Sequence, residues 1–299
     1  MLSYRHAFHA GNHADLLKHL TLTLILKSLT KKDKPFTVFD THAGAGIYEL
    51  DDSRLNQTEE AKKGILKLLE KIGETQNIPE PLLDYLEICR LYAKNGLYPG
   101  SPEIERCIMR GCDKLFISEL HNTEIQIIEE NIKSKPLLEK SSGFPSVFLR
   151  HEDGFSLLKS QLPPLVKRGL IITDPSYEVT SDYTSVAENM KKALEKWNTA
   201  TIAVWYPLLE HRQEELSLMK SQLTATAERF FEKKDNPYLC AELCVNSLPL
   251  DENEPRLYGY GMLIINPQYK LDEQLKEALP FLQKILAEDK GSWEVSASI

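Results

Sequence analysis

The chain has 299 residues, of which 42% are hydrophobic and 27% charged, and its net charge is −8. These values are typical of a globular protein with one large domain or two small ones, and no run of 18 apolar residues predicts a transmembrane helix. The polar, His-rich start lacks the pattern of a signal peptide, and the five cysteines have no CxxC spacing. We therefore expect reduced thiols, a cytoplasmic location and no contact with a membrane.

The first 34 residues are more basic than the rest of the chain. They contain six Lys and Arg residues against two Asp residues, a balance of +4 within a chain whose net charge is −8. A basic face on an acidic body would suit a nucleic-acid partner. Lys31, Lys32 and Lys34 would equally suit the solvated end of a helix, so the sequence leaves both interpretations open.

The same segment contains four histidines, which are His6, His9, His13 and His19. The spacings of the first three occur in helical metal sites. Asp15 is the one further ligand that joins them along the chain. Contacts to RNA, to a cofactor or within the core are therefore the favoured interpretation, and we expect no bound metal.

Strand-like apolar runs recur along the chain, and helical patterns such as 122–133 and 182–197 separate several of them. This alternation predicts a mostly parallel α/β sheet. The seven runs cover residues 36–46, 114–120, 146–154, 169–178, 201–209, 241–247 and 258–267. Two amphipathic patterns after the first run predict a small helical insertion at 50–97, closed by the stretch YPGSP at 98–102. We predict that this insertion lies within a single domain that covers 1–299.

Four of the predicted strands end close to an acidic residue. In parallel α/β sheets, ligands bind beyond the carboxyl ends of the strands. Glu119 follows the second strand, where doubly wound folds place a carboxylate against ribose hydroxyls, although a surface loop would also accept it. The four residues are Asp40, Glu119, Asp153 and Asp174.

The first strand leads into the Gly-rich stretch DTHAGAG. Gly44 and Gly46 tolerate unusual backbone dihedrals and allow a ligand to come close to the backbone. The stretch is not the full GxGxxG pattern, and no Walker GxxxxGK[ST] occurs in the chain. On its own it indicates a tight turn more strongly than a nucleotide site.

The fourth strand ends in ITDPSYE, residues 172–178. Asp-Pro is a common way to stop a strand and start a turn. The same stretch presents a carboxylate and an aromatic ring across a rigid proline, which would suit the capture of a flat substrate. The sequence of this stretch alone does not separate the two interpretations.

Several motifs together carry a resemblance to a known family. The stretches MLSYRHAFHAGNHADLLKH, DTHAGAGIYEL, YPGSP and DPSYE resemble the RlmJ family, which comprises 23S rRNA (adenine(2030)-N6)-methyltransferases. The similarity extends from residue 1 to about 267, and DPSY is similar to the (D/N)PP(Y/F) motif of enzymes that methylate exocyclic amines. Ser176 departs from the pattern, because the common motif has a second proline there.

The resemblance implies a Rossmann-like class I fold, S-adenosylmethionine as cofactor, 23S rRNA as substrate and a monomer. The residues expected to bind the cofactor are His19, His42, Gly44, Gly46, Ser101, Glu119, Asp153, Gly154 and Asp174. The expected catalytic residues are Asp174, Pro175, Tyr177 and Lys18. The residues expected at the substrate RNA are Tyr4, Arg5, Lys18 and Tyr177.

These residue types fit methylation of an adenine amine. The Asp174 carboxylate and the Pro175 carbonyl would accept the hydrogens of N6 and favour its transition state, and Tyr177 would stack on the base. The alternatives are the same chemistry on DNA, a non-catalytic RNA-binding protein with this fold, and a histidine-metal protein. The DPSY motif alone does not separate RNA from DNA, because it contacts only the amine.

Overall fold

The computed structural model describes residues 9–50, 60–75, 77–246, 257–287 and 291–297. In these ranges the strands are β1 Thr37–Asp40, β2 Ile47–Glu49, β3 Leu97–Pro99, β4 Lys114–Ser118, β5 Ser146–Arg150, β6 Gly169–Thr173, β7 Thr201–Leu209, β8 Tyr238–Cys244, β9 Leu257–Ile265 and β10 Ser292–Ala297. The α-helices are α1 His13–Thr30, α2 Glu60–Lys63, α3 Ile65–Gly73, α4 Leu83–Ala93, α5 Ser101–Ile108, α6 Asn122–Lys133, α7 Gly154–Gln161, α8 Ser181–Lys196, α9 Gln213–Phe230 and α10 Leu271–Leu286. Within the described residues, two short 3₁₀ helices cover Glu80–Leu82 and Glu210–Arg212.

Eight strands form the main sheet in the order β10-β8-β9-β7-β6-β1-β4-β5. The strands from β7 to β5 in this order are parallel neighbours, and β9 runs antiparallel between β7 and β8. Every residue of β1 and of β6 is buried, because helices cover both faces of a parallel sheet. This requirement explains the continuous apolar runs TVF and GLII in the sequence.

The prediction of a mostly parallel α/β sheet is confirmed, but the sheet has eight strands rather than seven. The eighth strand, β10, pairs antiparallel with β8. Its sequence SWEVSA is largely exposed and contains no apolar run, so a search for buried strands does not detect it. The two-stranded sheet of β2 and β3 is a further element that the sequence did not predict.

Helix α1 is buried on nearly all sides, and most of its buried residues are apolar, as expected for a helix enclosed by other elements. It packs against α5, β9, α10 and α4. The side chain of Asn12 caps its start by accepting from the backbone N–H groups of Ala14 at 2.9 Å and Asp15 at 3.1 Å. The cap fixes where the helix begins, and hence which side chains of its first turns face the sheet.

Helices α2, α3 and α4 lie in the segment where the sequence predicts a helical insertion. Their apolar residues, such as Leu68 and Tyr85, belong to the same hydrophobic core as Leu20 of α1. The division into one domain with an inserted helical part stays a prediction. Among the described helices, none combines the length and the apolar character needed to cross a bilayer.

Candidate active site

The carboxyl ends of β1, β4, β5 and β6 lie side by side, because these strands are parallel neighbours. Asp40 is the last residue of β1, and Glu119 and Asp174 directly follow β4 and β6. Asp153 follows β5 and caps α7. The sheet topology thus collects the four acidic residues at the edge where ligands bind in such folds.

Lys18 of α1 forms an ion pair with Asp174. Its Nζ donates to Oδ2 of Asp174 and lies 3.0 Å from Oδ1 of Asp15. The side chain of Lys18 is 7% exposed and that of Asp174 is 16% exposed. Burial alone would lower the pKa of Lys18, but Asp15 and Asp174 outweigh burial and raise this pKa well above its ordinary value. A positive charge is therefore held against the Asp174 carboxylate.

The contact of Lys18 with RNA stays a prediction. Its ammonium group lies between the carboxylates of Asp15 and Asp174, and its side chain is 7% exposed. Lys31 lies thirteen residues further along the helix axis, at a distance of ~20 Å for a rise of ~1.5 Å per residue. The two lysines therefore belong to opposite ends of the sheet and not to one face.

Glu119 holds the Gly-rich turn after β1. Its Oε2 accepts from Gly44 N at 2.7 Å, and its Oε1 accepts from His121 N at 2.6 Å. Gly44 and Gly46 have φ angles of +59° and +76°, in the left-handed region that favours glycine. Burial raises the pKa of Glu119, against the backbone hydrogen bonds that His121 and Gly44 donate to its carboxylate.

Asp40 joins the end of β1 to the start of α5. Its Oδ2 accepts from Ser101 Oγ at 2.7 Å, and its Oδ1 accepts from the backbone N–H of His42 at 3.1 Å. Burial raises the pKa of Asp40 to about 6. Ser101, which was expected to contact the cofactor, therefore has its hydroxyl directed at Asp40.

His42 lies between the carboxyl ends of β1 and β6. Its Nδ1 is 2.8 Å from Thr41 Oγ1 and 3.5 Å from the backbone N of Asp174. The ring of Phe155 packs edge-on against it, with 5.8 Å between the centroids. Burial lowers the pKa of His42 to about 4, so the imidazole is neutral near pH 7.

His19 lies deeper than a cofactor-lining residue would. It is 0% exposed, and its Nδ1 lies 2.8 Å from the hydroxyl of Tyr98, which in turn is 3.2 Å from the hydroxyl of Tyr85. The His19 side chain therefore packs α1 against Tyr98 and Tyr85, and it has no exposed surface in this conformation.

Asp153 and Gly154 place the start of α7 against the carboxyl end of β1. Asp153 caps α7 by accepting from Ser156 N at 2.8 Å. A Cβ atom on Gly154 would lie 2.2 Å from the carbonyl oxygen of Thr41, so this position requires glycine. Gly154, which the resemblance assigns to the cofactor, is therefore also required for the packing of α7 against Thr41.

Tyr177 differs from the expected arrangement. It is 3% exposed, and its hydroxyl donates to the carbonyl oxygen of Trp205 at 2.7 Å. Its ring packs against Tyr183 with 4.6 Å between centroids, and its φ angle is +53°. A buried ring offers no open face to a base, so the predicted stacking would require the DPSY turn to move. In this conformation Tyr177 instead anchors the turn to β7.

His9 and His13, the other described histidines of the cluster near the start of the chain, contact protein side chains. His9 Nδ1 lies 2.9 Å from Glu60 Oε1, and His13 contacts the hydroxyl of Tyr260. Within the described ranges, no three His, Cys, Asp or Glu side chains are grouped so as to hold a metal ion. Tyr4, Arg5 and His6 lie outside the described residues.

Sequence reasoning missed two partners of the site. Asp15 shares Lys18 with Asp174, and the i, i+3 spacing of Asp15 and Lys18 on one helix was a signal for it. The backbone carbonyl oxygen of Trp205 accepts a hydrogen bond from the Tyr177 hydroxyl. No sequence pattern indicates such a contact.

Comparisons with known proteins agree on one family. A family model described as "Ribosomal RNA large subunit methyltransferase D, RlmJ" matches residues 33–299. A relative from Escherichia coli K12, named ribosomal RNA large subunit methyltransferase J, is 38% identical over 96% of this chain and 94% of its own length. A relative of the same name from Haemophilus influenzae Rd is 36% identical over 99% of this chain and 98% of its own.

A solved structure shares the whole architecture. The protein LPL1258 from Legionella pneumophila superposes with a TM-score of 0.80 at 32% identity, covering 97% of this chain and 98% of that one. Sequence and structure thus agree over nearly the full length, and the chain belongs to the RlmJ family of ribosomal RNA large subunit methyltransferases.

Proposed function

We propose that this chain transfers a methyl group from S-adenosylmethionine to N6 of an adenine in 23S rRNA, the adenine 2030 type of position. The observation that carries the proposal is the placement of Asp174 and Pro175 at the carboxyl end of β6, with Lys18 paired to the carboxylate. Membership of the RlmJ family supports ribosomal RNA as the substrate.

The strand ends next to Asp174 fit a nucleoside cofactor. The glycines of the turn after β1 have left-handed backbone angles, which permit close approach of a ligand. Glu119, at the end of the neighbouring β4, is placed where a carboxylate accepts from ribose hydroxyls in doubly wound folds. We assign the cofactor contacts to His42, Gly44, Gly46, Glu119, Asp153 and Gly154, with Asp40, Ser101 and His19 supporting them. The bound cofactor would supply the methyl group, so the transfer itself needs no metal.

The residues of the chain act on the amine. An adenine N6 is a weak nucleophile, because its lone pair is delocalised into the ring. Lys18 occupies Oδ2 of Asp174, which leaves Oδ1 to accept one amine hydrogen, while the Pro175 carbonyl accepts the other. Two acceptors favour the pyramidal nitrogen that forms as the transition state is approached over the planar amine of the ground state. The methylated nitrogen then loses its proton to Asp174 or to water.

The burial of Tyr177 changes the role proposed for it. The hydrogen bond from the Tyr177 hydroxyl to the carbonyl oxygen of Trp205 holds the turn that carries Asp174 and Pro175 against β7. Stacking on a base, worth ~1–3 kcal/mol where it occurs, would follow only after this turn opens.

Methylation assays on two substrates test the proposal. The purified protein, with methyl-labelled cofactor and 23S rRNA transcript, should yield N6-methyladenosine on nucleoside analysis, and duplex DNA of equal length should yield none. Equal labelling of DNA would favour the DNA enzyme, and no labelled adenosine on either substrate would refute amine methylation. We further infer a monomer without metal that works in the cytoplasm, where its rRNA substrate is found.

A further inference from the structure

The end of the sheet opposite Asp174, where β1, β4 and β6 begin, carries a basic surface that the proposed chemistry does not use. It consists of Lys31, Lys32, Lys34, Arg110, Lys167 and Arg168, and is called the basic edge below. The lysine segment connects α1 to β1, whereas Arg110 precedes β4 and Arg168 precedes β6. Neighbouring strands are ~4.8 Å apart, so the N-terminal ends of these three strands bring the charges together.

Two arginines fix the lysine segment in place. Arg110 donates to the carbonyl oxygens of Lys32 at 2.9 Å and Lys34 at 3.1 Å. Arg168 donates to the carbonyl oxygens of Lys34 at 2.8 Å and Leu29 at 2.5 Å. Both guanidinium groups flank the ring of Phe36, at 5.6 and 5.7 Å from its centre. The backbone of the segment after α1 is therefore held in one conformation by hydrogen bonds from both arginines.

The lysines of the basic edge keep their charges available. Lys31, Lys32, Lys34 and Lys167 are exposed, and none of them forms an ion pair with a residue that the structure describes. Asp113, the nearby buried acid, already accepts from Arg110 Nε at 3.0 Å and from the backbone N–H of Phe36 at 3.0 Å. Asp33 alone lies within the lysine segment, so positive charge dominates the surface.

We propose that the basic edge binds the phosphate backbone of the substrate RNA at a distance from the target adenine. The inference rests on the proposed function and deepens it. A chain of net charge −8 repels a polyanion on average, so RNA affinity must come from local positive surfaces such as this one. Because α1 separates Lys31 from Lys18 by ~20 Å, only an RNA that reaches at least this far beyond the target can use it.

A triple variant with a matched control tests this surface. Lys31→Ala, Lys32→Ala and Lys34→Ala are combined, and the control combines Lys94→Ala, Lys191→Ala and Lys284→Ala. These three exposed lysines lie at the C-cap of α4, on α8 and on α10, and none has an ion pair to a described residue. On a full 23S rRNA transcript, the first variant should raise KM about tenfold and reduce the slope of log affinity against log salt by roughly 2–3, one unit or slightly less per lost phosphate contact. On a short fragment that contains only the target adenine and its immediate neighbours, it should match the wild type.

Two results would overturn the inference. One is a full-transcript KM and salt slope equal to those of the control variant, and the other is an equal loss on transcript and fragment. Filter binding of the same transcript, measured without cofactor, reports on the basic edge even if the wild type forms no N6-methyladenosine. Failure of the proposed function and failure of this surface are therefore separate observations.

Discussion

At the scale of single residues, Asp174 carries the proposed chemistry, and its ion pair with Lys18 holds one of its carboxylate oxygens in place. Lys18 is shared by two carboxylates, Asp15 and Asp174, so removal of the lysine would leave two buried acids without their cation. Breaking a buried pair in this way costs ~3–5 kcal/mol, which would confuse loss of folding with loss of chemistry. The sharper change is therefore on the Asp174 side.

Asp174→Asn keeps the size of the side chain and one acceptor oxygen but removes the charge. We expect turnover to fall roughly 10²-fold or more, as for the loss of one preorganised group in a site. Cofactor affinity should be nearly unchanged, because the proposed partner of the carboxylate is the substrate amine. Single-turnover methylation of an rRNA fragment measures this, with the melting temperature as the folding control. A folded variant with wild-type turnover would mean that Asp-Pro only ends the strand, since Asn serves in turns nearly as well.

The raised pKa of Asp40 predicts a dependence of stability on pH. The ordinary pKa is 3.8 and the pKa in the folded chain is about 6, so between these values the folded state binds more protons than the unfolded state. The contribution of Asp40 to the free energy of unfolding therefore falls as the pH rises through this window, by ~3 kcal/mol at most.

Asp40→Asn removes this titration while keeping an oxygen for the His42 N–H bond. Relative to the wild type, the variant should gain stability steadily between pH 4 and pH 6 and then level off. Urea unfolding at pH 4 to 8 measures the difference. Curves that stay parallel across this range would show that Asp40 does not titrate in the fold as proposed.

At the scale of secondary-structure elements, the site depends on contacts between strand ends. Glu119 leaves β4 and clamps the turn after β1 through Gly44, while Asp40 leaves β1 and accepts from the first residue of α5. Tyr177 ties the turn after β6 to β7. Each connection joins neighbouring elements of the sheet, so the edge behaves as one framework.

Glu119→Ala should weaken binding of S-adenosylmethionine by ~1.5–3 kcal/mol, the range for hydrogen bonds to a charged group. The loss has two sources, because the carboxylate would contact the ribose and also holds the amide of Gly44. Calorimetry measures the affinity, and Glu130→Ala, an exposed glutamate paired with Lys133 on α6, is the control. Unchanged affinity in Glu119→Ala would remove this residue from the site.

At the scale of the whole molecule, the segment before α1 is held against the helices of the predicted insertion. The backbone N–H of Ile65 donates to the Gly11 carbonyl at 2.8 Å, and Glu60 accepts from Asn12 Nδ2 at 2.8 Å. A Cβ atom on Gly64 would lie 2.1 Å from the carbonyl oxygen of Gly11. This close approach leaves no room for a side chain.

Gly64→Ala should therefore destabilise the protein by ~1–3 kcal/mol, the usual cost of forcing extra atoms into a packed contact. Gly73→Ala, at the other end of α3, is the matched control, since a Cβ there meets nothing within 4 Å. The control should be neutral or gain up to ~1 kcal/mol from helix propensity. Chemical denaturation of both variants gives the comparison, and equal stabilities would contradict the tight contact.

The sequence alone determined seven strands of the main sheet and the chemistry predicted at their ends, but not β2, β3 or β10. Buried strands need continuous apolar runs, so the runs that form β1, β6 and β7 are recognisable as strands. Parallel strands end at one edge, so the order of strands and helices in the chain is enough to group Asp40, Glu119, Asp153 and Asp174. The resemblance of the sequence motifs to the RlmJ family predicted the activity.

Only the tertiary structure decided how these residues are partnered. Lys18 and Asp174 are 156 positions apart, and their ion pair depends on the packing of α1 across the sheet, which no local pattern encodes. The burial of Tyr177 follows from the course of β7 beside it. The basic edge forms because the N-terminal ends of β1, β4 and β6, which are distant in the chain, are neighbours in the sheet. Periodicity indicates which face of an element is buried, whereas the identity of the neighbour is fixed only when the elements pack.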